Sequence, residues 1–146
     1  MDRKEFLRRC GSACAGGLVL SVLAQGCRSL RASSFAVEGS HVIIPLSEFV
    51  VGDGSNNSFH QFVIAYPDLL QYPLGVFRHG EKDFTAVLLR CTHQGTELQV
   101  FGDVMQCPAH GSEFDARGRV QQGPASTDLI TFPIAIEPGR IRIALQ

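Results

Sequence analysis

From Phe35 onward, hydrophobic residues fall into short runs, and no long stretch repeats with the 3.6-residue period of an α-helix. The runs are rich in Val, Ile and Phe and are separated by Gly, Pro, Asp and Asn, a pattern typical of β-strands joined by turns. The predicted strands are residues 41–44, 58–66, 75–78, 84–90, 97–101, 104–106, 130–136 and 140–145. So many short strands in one domain predict an all-β fold, an antiparallel sandwich or barrel.

Turn-forming residues separate several of these predicted strands. Residues 80–83, 102–103 and 138–139 have the Gly, Pro and Asp content of tight hairpin turns. Residues 52–57 (Gly-Asp-Gly-Ser-Asn-Asn) form a loop by composition. Because a tight turn returns the chain beside itself, we expect the strands on either side of each turn to pair antiparallel.

The first 26 residues follow a different pattern and predict a signal peptide. Four basic residues come before an apolar run at residues 13–24: Arg3, Lys4, Arg8 and Arg9. A basic start followed by roughly a dozen apolar residues is typical of a secretory signal. The run is too short for a transmembrane helix, which takes about 20 residues. A buried helix is the alternative, and Gly16 and Gly17 in the middle of the run disfavour it.

Two short motifs near the N-terminus resemble specific export signals. Residues 23–27 (Leu-Ala-Gln-Gly-Cys) resemble a bacterial lipobox, in which the cysteine, here Cys27, becomes the lipidated first residue. Residues 3–7 resemble a twin-arginine signal with Lys4 in place of the second arginine. The resemblance implies an exported lipoprotein facing the periplasm or cell exterior, with a plain secretion signal as the alternative. The expected organisation is a signal at 1–26, a tether at 27–39 and a domain at 40–146.

The amino-acid composition disfavours some classes of function. The chain has 146 residues, 45% hydrophobic and 18% charged, which is typical of one globular domain. Thirteen Lys and Arg oppose 14 Asp and Glu, so no basic excess supports binding to nucleic acid. Five cysteines are an odd number, so disulfides cannot account for all of them.

Two short patches concentrate the residues that bind metals. Each patch follows a predicted strand and holds one cysteine and one histidine: Cys91 with His93, and Cys107 with His110. A predicted hairpin at 97–106 joins the patches, so we expect the two Cys–His pairs to face each other. Glycines at positions 95 and 111 allow tight turns and a close approach to a bound group.

Two thiolates and two imidazoles suit two kinds of metal centre. They could hold a tetrahedral zinc ion. They could also hold a [2Fe–2S] cluster in which two histidines replace two cysteines on one iron. A zinc finger usually has both cysteines in one pair and both histidines in the other. Here each pair is mixed, which favours two metals, with one residue from each loop on each iron.

The patches resemble the C-x-H and C-x-x-H-G-S motifs of the Rieske [2Fe–2S] family. The resemblance implies that Cys91 and Cys107 bind a buried iron and that His93 and His110 bind an outer iron. Around these ligands it implies a second layer of residues: Gly95, Gly111, Ser112, Phe114 and Pro124. It also implies the Rieske-type sandwich or barrel with a small subdomain of two loops on a hairpin.

The chain departs from the quinol-oxidising members of that family. Those members have a disulfide between the loops, and the corresponding positions here are Thr96 and Ala109. Their tyrosine two residues after the motif serine is Phe114 here, which has no hydroxyl to donate to a sulfur. We therefore expect a cluster without a disulfide and with a reduction potential in the lower half of the Rieske range.

The expected function is electron transfer by a membrane-tethered carrier that catalyses no reaction itself. The expected partner is another redox protein or the large subunit of an oxidoreductase. The alternatives are a subunit of a quinol-oxidising or arsenite-oxidase-like complex and, less favoured, a structural zinc domain. A Rieske oxygenase needs a second iron held by two histidines and a carboxylate, and no histidine follows His110.

Overall fold

The computed structural model describes residues 35–52 and 58–145, and these residues form a nearly all-β domain. The only helical element in this part of the chain is one 3₁₀ turn, Leu46–Phe49. The strands are β1 (Ala36–Glu38), β2 (His41–Pro45), β3 (Phe62–Ala65), β4 (Leu74–Arg78), β5 (Phe84–Leu88), β6 (Gln99–Phe101), β7 (Val104–Gln106), β8 (Glu113–Asp115), β9 (Val120–Gln122), β10 (Thr131–Phe132), β11 (Ile134–Glu137) and β12 (Arg140–Ala144). The predicted all-β, antiparallel fold is confirmed.

The strands form three four-stranded antiparallel sheets. The first sheet has the order β1-β2-β12-β11, and the central sheet has the order β10-β5-β4-β3. The third sheet pairs β6, β7, β8 and β9 in chain order, and we call it the meander. The meander is inserted between β5 and β10, which are themselves paired through Val87 and Thr131.

The central sheet is buried on both faces. Alternate residues of β4 and β5 point to opposite faces of the sheet. Val76 and Ala86 pack with the first sheet in one core, whereas Phe77 and Val87 pack in a second core against the meander. This explains why β4 is a continuous apolar run rather than an alternating one. The second core contains Cys91 and Cys107, so the meander and its loops share packing with the central sheet.

Proline divides one predicted strand into two. Residues 130–136 were expected to form a single strand, but β10 pairs with β5 in the central sheet and β11 pairs with β12 in the first sheet. The chain changes sheets at Pro133, which has no N–H to donate to a ladder. The carbonyl of Pro133 still accepts the N–H of Ala144 at 3.0 Å.

Other strand boundaries differ from the sequence pattern. The predicted strand at 58–66 is regular only at 62–65, with an isolated bridge between Val50 and Phe59 before it. The strands β1, β8 and β9, of three residues each, were not among the strands predicted from the hydrophobic pattern. Of these, β1 lies inside the predicted tether of residues 27–39 and pairs with β2.

The N-terminal predictions fall on residues without a described structure. The signal peptide at 1–26, the lipidation site Cys27 and the start of the tether lie outside the described residues. The same is true of most of the predicted loop at 52–57. In the part of the chain that is described, no helix is long and apolar enough to cross a membrane.

An aspartate organises the turn between β8 and β9. Asp115 accepts hydrogen bonds from the backbone N–H groups of Arg117 and Arg119 and from the Arg119 side chain. Burial alone would raise the pKa of the Asp115 carboxyl, but these hydrogen bonds outweigh it and lower that pKa. Arg117 also forms an ion pair with Asp83 in the β4–β5 turn, at 2.6 Å. The meander turn is thereby connected to the central sheet.

Gly118 packs this turn against the central sheet. Its φ is +82°, and a Cβ there would lie 3.1 Å from Val87 Cγ1 and 3.3 Å from Leu129 Cβ. We expect Gly118→Ala to lower the free energy of unfolding by about 2–3 kcal/mol, from a left-handed backbone and the close contacts together. Urea denaturation followed by circular dichroism measures this change.

Gly139→Ala is the matched control for that measurement. Gly139 has a similar φ of +76°, but nothing lies within 4 Å of the added Cβ. Gly139→Ala should therefore lower the free energy of unfolding only through the left-handed backbone, by about 1–2 kcal/mol. Equal losses of stability in the two variants would contradict the close packing of Gly118.

Candidate metal centre

Two loops closed by the same pair of backbone hydrogen bonds carry the candidate metal-binding residues. In the first loop, residues 91–96, the Cys91 N–H donates to the Thr96 carbonyl at 2.8 Å and the Gly95 N–H donates to the Cys91 carbonyl at 2.8 Å. The second loop, residues 107–112, repeats this pattern. The Cys107 N–H donates to the Ser112 carbonyl at 2.8 Å, and the Gly111 N–H donates to the Cys107 carbonyl at 3.0 Å. Both glycines have positive φ, +76° and +75°, which side-chain-bearing residues rarely adopt. Each cysteine therefore begins a tight turn.

The two loops bring the two histidines close to each other and place both cysteines in one core. Cys91 and Cys107 are free thiols in this structure, and each is 1% exposed within the second core. His93 and His110 are exposed, and their ring centroids lie 5.0 Å apart with the rings edge to face. The thiols therefore lie inside and the imidazoles outside.

The sulfur of Cys107 lies in a field of hydrogen-bond donors. Burial alone would raise the pKa of this thiol. The backbone N–H groups of His110 and Ala109, with the side chains of Cys91 and Thr96, outweigh burial and lower the pKa. This environment stabilises a thiolate, which is the form that binds metal.

A third segment lies across both loops. Residues 122–129, which we call the covering segment, include a cis peptide bond between Gly123 and Pro124. The Ala125 N–H donates to Ser112 Oγ at 3.0 Å, and Thr92 Oγ1 donates to the Thr127 carbonyl at 2.6 Å. One bond reaches the second loop and the other reaches the first.

The surrounding residues predicted from the sequence occupy distinct places. Ser112 is fully buried with its hydroxyl oxygen accepting from the covering segment. Phe114 is fully buried in β8 and belongs to the same core as both cysteines. Pro124 is exposed. Gly95 packs under Arg90, since a Cβ there would lie 3.2 Å from the guanidinium, and Arg90 in turn lies 5.6 Å from the ring centre of Tyr72.

The donor set fits a two-iron cluster. No group of three or more His, Cys, Asp or Glu residues within the described ranges lies close enough together to hold one metal ion. A [2Fe–2S] centre of mixed ligation needs only two protein ligands on each iron. Two buried thiols beside two exposed imidazoles match that requirement, and soft thiolates and imidazoles are ligands that iron–sulfur centres use.

Comparison with known proteins identifies the family of the chain. The profile of the Rieske [2Fe-2S] domain family matches residues 55–133, more than half of the chain. Among solved structures, the plasma membrane Rieske protein PetC3 of the cyanobacterium Synechocystis PCC 6803 is 29% identical, with a TM-score of 0.50 over 57% of this chain and 85% of that chain. A ferredoxin of Sphingomonas yanoikuyae B1 is 26% identical, with a TM-score of 0.46 over 58% of this chain and 85% of that chain. No curated protein sequence matches.

These observations define an iron–sulfur protein of the all-β class, and the chain belongs to the Rieske [2Fe-2S] domain family. Its cofactor is a Rieske-type [2Fe–2S] cluster, and its function is electron transfer. The family assignment and the cofactor expected from the two Cys–His motifs are confirmed.

Sequence reasoning missed the residues that join the loops to the covering segment. Thr92 stands between Cys91 and His93 in the sequence, but its acceptor on Thr127 is 35 residues away. Asp128 accepts the Val120 N–H at 2.8 Å and holds the covering segment to β9. No local spacing signals either bond, because both depend on how the chain returns from the meander.

Proposed function

We propose that this chain is an exported electron carrier whose cluster is held by Cys91 and Cys107 on one iron and by His93 and His110 on the other. The observation that carries this proposal is the meeting of two buried thiols and two exposed imidazoles on loops with the same closure. When bound, a Rieske cluster accepts and releases one electron at a time. The thiols lie in the apolar second core, which keeps water from them.

The exposed histidines define where a redox partner docks. His93 and His110 are exposed on the two loops, and so are Pro108 and Ala109, which come just before His110 in the sequence. Pro108 and Ala109 carry no charge, whereas Arg90, which is exposed, places its guanidinium against Gly95 of the first loop. The partner is a redox protein or the large subunit of an oxidoreductase, and the chain catalyses no reaction of its own.

The proposed carrier is also exported and attached to a membrane by a lipid. The basic and apolar pattern of residues 1–26 supports a signal peptide, and the lipobox-like residues 23–27 support a lipid on Cys27. The similar protein PetC3 is described as a plasma membrane protein. The carrier would therefore face the periplasm or cell exterior, held by a lipid on Cys27 and by the predicted tether of residues 27–39, which contains β1.

A redox titration of the purified protein, followed by electron paramagnetic resonance, tests this function. We expect a Rieske-type signal in the reduced state and a midpoint in the lower half of the range of about −150 to +300 mV. The reason is that a hydrogen bond to a cluster sulfur stabilises the more negative reduced state, and Phe114 has no hydroxyl to provide one. Phe114→Tyr supplies a hydroxyl at this position and should raise the midpoint.

Two results would count against these expectations. A reduced protein with no Rieske-type signal would remove the assigned function. A midpoint above about +200 mV would leave the function in place but contradict the effect assigned to Phe114.

A further inference from the structure

The covering segment contacts both loops through different hydrogen bonds. Thr92 Oγ1 in the first loop donates to the Thr127 carbonyl at 2.6 Å. Ser112 Oγ in the second loop accepts the Ala125 N–H at 3.0 Å. Only one residue, Ser126, lies between Ala125 and Thr127, so one short stretch of backbone holds both loops.

The covering segment is itself firmly attached. Its Ala125 and Leu129 side chains are each 5% exposed and pack in the core that contains Cys91 and Cys107. The Leu129 N–H donates to the Gly118 carbonyl at 2.8 Å. The Asp128 carboxylate accepts the Val120 N–H at 2.8 Å. A loop bonded to this segment is therefore fixed relative to the meander.

We infer that the covering segment is a non-covalent brace between the two loops and that Thr92 is the positioning residue that connects the first loop to it. The inference rests on the proposed ligands, since Thr92 lies between Cys91 and His93. Its hydroxyl bond restrains the backbone on both sides of Thr92, and so the spacing of the thiol and the imidazole. The described residues contain no cysteine other than Cys91 and Cys107, and these form no disulfide, so the brace holds the loops without one.

The test compares three variants of the cluster-loaded protein. Thr92→Val keeps the shape of the side chain and removes the donor, whereas Thr92→Ser keeps the hydroxyl. Thr127→Ala is the matched control on the other side of the bond, because the acceptor is the backbone carbonyl and not the Thr127 side chain. The measurements are the rate of iron release to a chelator and hydrogen–deuterium exchange at residues 91–96 and 123–129.

Thr92→Val should release iron about fivefold faster, which is the effect of losing one hydrogen bond worth about 1 kcal/mol. Exchange should become faster in the first loop and in the covering segment together. Thr92→Ser and Thr127→Ala should behave like the wild type. The inference is overturned if Thr92→Val matches the wild type, or if Thr92→Ser is as impaired as Thr92→Val, since shape rather than the hydroxyl would then matter.

Asp128→Ala gives a second, independent route to the same question. It removes the carboxylate that holds the covering segment to β9 and leaves both loops unaltered. Exchange in the covering segment should rise, and the first loop and the iron-release rate should follow it. A covering segment that loosens while the first loop keeps its protection would overturn the brace, even if Thr92→Val does not fold.

The failure of this inference is distinguishable from the failure of the proposed function. A wild-type protein without a Rieske-type signal would overturn the proposed function, and the exchange measurements would still report whether loop and segment move together. If the wild-type protein shows that signal and Thr92→Val matches the wild type in iron release and exchange, only the brace is overturned.

Discussion

Replacing Cys107 with serine should abolish the Rieske-type signal and reduce bound iron to background. The buried thiol is one of two proposed ligands on its iron, and its surroundings favour the thiolate. A serine hydroxyl does not ionise near neutral pH and cannot take that place. Iron analysis and electron paramagnetic resonance of the reduced protein measure the effect.

A pair of histidine variants separates loss of ligand from general damage. His110→Gln removes an exposed imidazole of the second loop, and we expect loss of the signal with little change in packing. His79→Gln makes the same substitution in the β4–β5 turn, where His79 bonds to Thr85 at 3.0 Å, and it should leave the signal unchanged. A normal signal in His110→Gln would refute the assignment of His110.

Replacing Cys27 with serine should move the protein from the membrane fraction to the soluble fraction. Each buried CH₂ of an attached acyl chain contributes about 0.8 kcal/mol, so stable attachment depends on the lipid that Cys27 is proposed to carry. Cell fractionation and the mass of the mature chain measure this effect.

Cys10→Ser and Cys14→Ser are the matched controls, since both cysteines lie in the predicted signal peptide. Neither substitution should alter where the mature protein is found. If the wild-type protein is already soluble, or if Cys27→Ser stays with the membrane, the lipid anchor is refuted.

Short motifs in the sequence were enough to predict the family and its [2Fe–2S] cofactor, and the pattern of short strands and turns was enough to predict an antiparallel all-β fold. Cysteine and histidine are unusual enough in such short patches that Cys91, His93, Cys107 and His110 stand out without any structural knowledge. Hairpin turns such as residues 102–103 are equally local, and β6 and β7 pair across this turn as expected. Both signals depend on residues close together in the chain.

Features that depend on distant residues were not predictable. The break at Pro133 is visible in the sequence, but the change of sheet depends on β5 and β12, which accept the two halves. The bond from Thr92 to Thr127 spans 35 residues and depends on the return path of the chain. The continuous burial of β4 requires a third sheet, which no pattern within β4 reveals.

The placement of the meander makes the redox site a modular insertion. The chain leaves the central sheet after Leu88 and returns at Ile130, and the Leu88 N–H bonds to the Ile130 carbonyl at 2.9 Å. Because the two ends of the insertion are neighbours, its length is not constrained by the sheets that support it. The entropy of closing such an excursion grows only slowly with length, by about 0.6 kcal/mol for each doubling. The insertion can therefore be lengthened, for example at the β6–β7 turn, while the supporting framework keeps its strand order.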